Sequence, residues 1–101
     1  MNDRLKNIIG LAINAGKAIS GTFAVEGAIR RKKAKLVIID GRASQNTIRQ
    51  FDAMCSNNGV KWVLLKDSGV LEALLSRDNR TVMAILDGGF AETIQEILKK
   101  E

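Results

Sequence analysis

The chain has 101 residues, 46% of them hydrophobic, with one Trp, three Phe, no Tyr and no Pro, which is enough for one domain with an aliphatic core. Sixteen Lys and Arg against eleven Asp and Glu leave a net charge of +5, which favours a polyanionic partner through counterion release. Having no His and a lone Cys55, the sequence lacks the commonest general base, an internal disulfide and a metal-ligand cluster, and no stretch approaches the ~20 apolar residues of a membrane span.

No cofactor, metal or membrane partner is therefore expected. Asp3, Asn7 and Asn14 interrupt any apolar signal-like run at the start, so the expected compartment is the cytoplasm.

In chain order, Leu5, Ile8, Ile9, Ala12 and Ala15 recur at helical spacing and predict a first helix that stops near Gly16. Lys17 to Ile19 follow as a very short strand. Ser20 or Thr22 then caps a second helix with Val25, Ala28 and Ile29 on its apolar face. Its last turn runs into the cluster Arg30, Arg31, Lys32, Lys33 and Lys35, where cations suit the helix dipole. Leu36 to Ile39 read as a fully buried strand. A third helix starts at Ser44, carries Ile48, Phe51, Met54 and Cys55 on one face, and stops at Gly59.

Val60 and Trp62 to Leu65 predict another strand, Ser68 caps a short helix with Val70, Leu71, Leu74 and Leu75, and Thr81 to Leu86 form a further apolar strand. The last helix opens at Asp87, with Phe90, Ile94, Ile97 and Leu98 on its buried face. Strands alternating with helices of this length imply crossover connections and an α/β fold, a largely parallel sheet with helices on both sides.

Sites in open α/β sheets lie beyond the carboxyl ends of strands. Three corners qualify: Asp40-Gly41-Arg42, Lys66-Asp67-Ser68 and Asp87-Gly88-Gly89. Exposed amides at such helix starts attract phosphate, although Asp, Ser and Gly are also the ordinary residues of helix-start turns, the preferred reading for Asp87-Gly88-Gly89. Neither G-x-G-x-x-G nor G-x-x-x-x-G-K-[ST] occurs, which argues against a dinucleotide fold and nucleotide hydrolysis. Asp40 and Asp87 are candidate paired carboxylates at adjacent strand ends, but with no His, no Tyr and no activated nucleophile two helix-start aspartates are the simpler reading, and Cys55 lies on an apolar stripe. A binding module is expected rather than an enzyme.

Four segments, IGLAINAGKAISG at 9–21, AIRRKKAKLVII at 28–39, ASQNT at 43–47 and AILDGGFAETI at 84–94, give nearly the whole chain a family likeness. It resembles the YlxQ-type bacterial branch of the kink-turn RNA-binding ribosomal-protein family, the L-seven-Ae and L-thirty-e group. That resemblance implies a three-layer α/β/α sandwich around a four-stranded mixed sheet, with RNA bound at one end. It implies RNA-facing elements at Gly21 to Gly27, Asp40 to Ser44 and Arg77 to Thr81, flanked by Lys17 and Arg30.

The chain departs from the family pattern where base reading takes place. The signature Gly-x-Asn-Glu-x-x-Lys stands here as Gly21, Thr22, Phe23, Ala24, Val25, Glu26 and Gly27, so the Asn is Phe23, the Glu is Ala24 and the Lys is Gly27. The acidic residue usual in the loop after the strand is Arg42. Losing those donors and acceptors removes direct base readout, worth ~1–3 kcal/mol per good bidentate contact. What remains are phosphate contacts from Lys17, Arg30, Arg42 and Arg80, backbone amides at the Gly21 and Ser44 helix starts, and Phe23, which stacks on an unpaired base if exposed and joins the core if not.

Gly27 inside a helix costs up to about 1 kcal/mol relative to Ala, a sign of close approach by a neighbouring helix or an RNA backbone. The expected activity is non-enzymatic binding of structured RNA, ribosomal RNA first among candidates. The alternative is a protein-interaction module using Phe23, Ala24 and Val25, and a third reading is an anion-binding regulator at the Asp87 corner.

Overall fold

A computed structural model of the chain describes residues 3–66, 70–75 and 80–100. The elements follow as α1 (Asp3–Asn14), β1 (Ala18–Ser20), α2 (Thr22–Arg30), β2 (Leu36–Asp40), α3 (Gln45–Asn58), β3 (Trp62–Leu65), α4 (Val70–Leu75), β4 (Val82–Ile85) and α5 (Gly88–Lys99). Leu5, Ile9 and Ala12 are buried on α1, and Gly16 beyond its end takes φ +72°, the left-handed turn that a glycine allows. On α3, Ser44 Oγ accepts from the Thr47 amide at 3.1 Å and Gly59 closes the helix at φ 68°, as the flanking residues predict.

The four strands form one sheet in the order β1-β4-β2-β3. β2 is fully buried and divides two cores by strand alternation. Leu36 and Ile38, with Met83 and Ile85 of β4, face α1, α4 and α5, where Ile9, Leu71 and Ile94 are buried. Val37 and Ile39, with Val82 and Ala84, face α2 and α3, where Ile29, Phe51 and Cys55 are buried. The result is the three-layer α/β/α sandwich with a four-stranded mixed sheet.

The expectation of a largely parallel sheet is corrected. β2 and β3 pair in parallel, whereas β4 runs antiparallel to both its neighbours, β1 and β2. The reason lies in the connections. α2 and α3 carry the chain back along the sheet, so β1, β2 and β3 share a direction. α4 has six residues, about 9 Å at 1.5 Å per residue, and the chain enters β4 from the end at which β3 left the sheet.

Two local expectations also change. The cap of α2 is Gly21, with no side-chain cap from Ser20 or Thr22. The cap expected at Ser68 lies outside the described residues, as do 77–79 of the loop before β4 and Asp67 and Ser68 of the second corner. No helix among the described residues is long and apolar enough to cross a membrane.

Candidate nucleic-acid interface

Because β4 opposes the other strands, the end of the sheet where β1, β2 and β3 finish is also the end where β4 begins. Three loops meet there. The Gly21 amide donates to Val82 O at 2.9 Å, the Asp40 amide donates to Thr81 O at 2.7 Å, and the Gly41 amide donates to Leu65 O at 2.8 Å. The β1–α2 turn, the β2–α3 loop and the entry to β4 thus form one backbone-bonded surface.

Gly21 sets the shape of the first turn. It adopts φ 96° and ψ 144°, a conformation essentially reserved for glycine, and a Cβ there would run into the Arg80 guanidinium. Arg80 Nη1 donates to Ser20 O at 2.9 Å, which ties residues sixty positions apart in the sequence. Gly21, Thr22, Phe23, Ala24, Arg80 and Thr81 line an open concavity of about 430 Å³.

Asp40 organises the second loop from beneath. It is the buried charged residue at the end of β2, fully shielded from solvent. Its Oδ1 accepts from the Arg42 amide at 2.9 Å and from Arg42 Nε at 3.4 Å, and its Oδ2 accepts from the Leu71 amide at 3.4 Å. Arg42 is therefore oriented by a buried carboxylate while its side chain stays about 30% exposed. Asp40 is an anchor holding the loop and α4 to the sheet. Its suggested pairing with Asp87 is corrected, because Asp87 follows β4 and lies at the opposite end of the sheet, where its Oδ2 accepts from the Phe90 amide at 2.9 Å as an ordinary helix cap.

The remaining candidates divide between the two ends. Phe23 is 91% exposed, which decides against its joining the core. Arg30 lies at the far turn of α2, paired with Glu26 at 2.9 Å, and its side chain remains mostly in solvent. The three atoms nearest a Cβ at Gly27 belong to the guanidinium of Arg31, the residue that closes α2. Lys17 is not brought to this end. It precedes β1, and its carbonyl accepts from the Leu86 amide at the other end of the sheet. Lys35 and Lys61, which directly precede the parallel β2 and β3, lie at that other end too.

Among the described residues no group of His, Cys, Asp and Glu can hold a metal ion. Cys55 is buried in the core against α2, and burial, with a smaller contribution from the Asp52 charge, pushes its thiol up to about 11. It is an unreactive core thiol. The anchoring role of Asp40 has no signal in the sequence, where it reads as a helix-start aspartate. Arg31, within the basic run, stands four residues from Gly27 and eight from Phe23, a spacing that marks one helix row.

A family model described as the ribosomal protein L7Ae/L30e/S12e/Gadd45 family matches residues 3–95. The chain belongs to this family. Within the L7Ae/L30e/S12e/Gadd45 family, it is 33% identical over 91 residues to the RNA-binding protein YlxQ of Bacillus subtilis strain 168, covering 90% of this chain and 91% of the relative. It is also 33% identical over 93 residues to the RNA-binding protein YlxQ of Enterococcus faecium, covering 92% and 89%. The resemblance to a YlxQ-type member is thereby established, and these are names of RNA-binding proteins, not enzymes.

Solved structures share the fold. A Bacillus halodurans protein of unknown function superposes with a TM-score of 0.89 at 19% identity, covering 97% of this chain and 99% of that one. The 15.5kD RNA binding protein of Giardia lamblia superposes with a TM-score of 0.76 at 20% identity, covering 99% and 89%. Family membership makes the substitutions at Phe23, Ala24 and Gly27 informative. All three lie on the first two turns of α2, two of them lining the concavity beside Arg80.

Proposed function

We propose that this protein is a non-enzymatic, cytoplasmic RNA-binding protein that holds structured RNA, ribosomal RNA first among candidates, at the end of the sandwich built by Gly21, Arg42 and Arg80. The observation that carries the reading is the convergence of three loops. The Gly21 amide reaches Val82 O and the Asp40 amide reaches Thr81 O, which gathers the segments that family resemblance assigns to RNA. Membership of a ribosomal-protein family and the names of two relatives support the same class of ligand.

The chemistry at this end suits the nucleic-acid backbone more than base edges. Arg42 and Arg80 are each oriented by an oxygen of the protein, Arg42 by Asp40 and Arg80 by Ser20 O, which sets two guanidinium groups, the side chain best matched to phosphate, at this end. Phe23, Ala24 and Gly27 supply no side-chain hydrogen bonds where the family trio reads tandem G·A pairs. Contacts of this kind position a strand without carrying sequence information.

Equilibrium RNA binding over a range of salt concentrations tests the reading. Replacing Arg42 or Arg80 by Gln is expected to weaken binding across different RNAs and to reduce the salt slope by about one unit each. Affinity and slope unchanged in both variants would place the RNA elsewhere.

A protein-interaction reading rests on the same exposed Phe23. It loses one of its three contact residues, because Val25 is fully buried against β2 and β4. Only Phe23 and Ala24 remain at the surface.

A further inference from the structure

Phe23, Gly27 and Arg31 stand four residues apart along α2 and its last turn, so they form one row on one helix face. The middle member has no side chain. A Cβ on Gly27 would lie 3.2 Å from Arg31 Nη1, which means that the Arg31 guanidinium leans back over the bare glycine, in the direction that helix side chains take. The notch so formed is a concavity of about 170 Å³ walled by Phe23 and Arg31, with Arg30 at its side.

We propose that this notch takes one unpaired nucleobase, stacked on the Phe23 ring and in contact with the Arg31 guanidinium that covers Gly27. The inference rests on the RNA reading of this end and names the part of the RNA that it takes there.

Four features select a base over other occupants. Phe23 is 91% exposed, the largest exposure among the big apolar side chains of the described residues, and a phenyl face left in water stacks on any base. The Arg31 guanidinium lines the same notch, and guanidinium planes stack on bases as aromatic rings do. Among the described residues Arg31 has no carboxylate partner, and the acid at the notch, Glu26, is engaged by Arg30 at 2.9 Å. Finally, Phe23 is shared between this slot and the 430 Å³ concavity that carries Arg80. A strand crossing the Arg80 side can therefore place its backbone there and turn one base past Phe23 into the notch.

The substitutions that remove the family trio acquire a common purpose in this account. Phe23 replaces an edge-reading residue with a stacking surface, and Gly27 clears the space in which the Arg31 guanidinium lies. Base recognition passes from hydrogen bonding to stacking, which tolerates any sequence.

The test uses the full chain and a kink-turn RNA whose unpaired nucleotides are replaced one at a time by abasic sites. One abasic position is expected to weaken wild-type binding by roughly tenfold, and Phe23→Ala to weaken binding to the intact RNA by a similar factor. Combining the two should cost no more than either alone. Gly27→Leu, which displaces the Arg31 guanidinium from its place over the glycine, should weaken binding likewise while raising the melting temperature, because glycine is a poor helix residue; a purely structural role for Gly27 would move both in the same direction.

Wild-type binding that is salt-steep yet indifferent to every abasic site and to Phe23→Ala overturns the slot and leaves the RNA reading intact. Absence of binding by the wild type overturns both. Loss of self-association or of a protein contact in Phe23→Ala, with RNA binding unchanged, assigns the exposed ring to a protein partner and also overturns the slot.

Discussion

At Gly21 a single residue decides the form of the proposed interface. Its φ of 96° with ψ of 144° is costly for any residue with a side chain, and a Cβ would displace Arg80 from Ser20 O. Gly21→Ala is expected to lower the unfolding free energy by about 1–3 kcal/mol in urea titrations. An unchanged midpoint would mean that the turn relaxes freely. Asp40 carries a comparable weight for a different reason. Asp40→Ala strips acceptors from the Arg42 and Leu71 amides in a fully buried place, a loss of about 1–3 kcal/mol per group left without a partner, also read by denaturation.

Cys55 gives a pH signature. Its thiol is raised from 9.0 to about 11, first by burial and then by Asp52, so the folded state holds the proton more tightly than the unfolded state. The stabilisation it contributes is present below pH 9 and is lost as pH rises toward and through about 11. Cys55→Ser or Cys55→Ala should flatten that part of the stability profile, and iodoacetamide at neutral pH should label the native protein far more slowly than the unfolded chain. Equal labelling rates would contradict the burial.

Elements with strong local signals were the legible ones. The run Leu36 to Ile39 forms a buried strand because four apolar β-formers in a row fit a sheet covered on both faces. Helix α3 was legible from its Ser44 start and Gly59 stop, and Ser44→Ala should cost about 1 kcal/mol by removing the acceptor of the Thr47 amide. The same helix is pinned to β3 by Trp62 Nε1 donating to Asp52 Oδ1 at 2.9 Å, a bond between a strand residue and a helix residue that no periodicity announces. The start of α2 misled because two good capping residues, Ser20 and Thr22, flank the glycine that takes the position. The direction of β4 misled because alternation of helix and strand does not record whether a short helix returns the chain to its starting end.

That reversal shapes the whole molecule. With β4 antiparallel, Arg80 enters beside Gly21 and Arg42, and Asp87 moves to the far end, where it caps α5. The candidate site was legible in part: Gly21, Arg42 and Arg80 converge, whereas Lys17 shares the opposite end with Lys35 and Lys61 because each precedes a strand of the same direction. A contact such as Arg80 to Ser20 O spans sixty residues and has no local pattern. The separation of charges permits a control. Lys61→Gln removes the same charge as Arg42→Gln but at the distant end, and is expected to change RNA affinity less at equal salt. Equal losses would point to diffuse attraction by the net charge of +5 rather than to a site.

RNA is expected at the Gly21, Arg42 and Arg80 end of the sandwich. The most direct test is equilibrium binding of wild type, Arg42→Gln, Arg80→Gln and Lys61→Gln to one kink-turn RNA at two salt concentrations. The account predicts binding that falls steeply with salt, weakens most in the two arginine variants, and changes least in Lys61→Gln. No binding by the wild type at low salt, or a loss confined to Lys61→Gln, would contradict it.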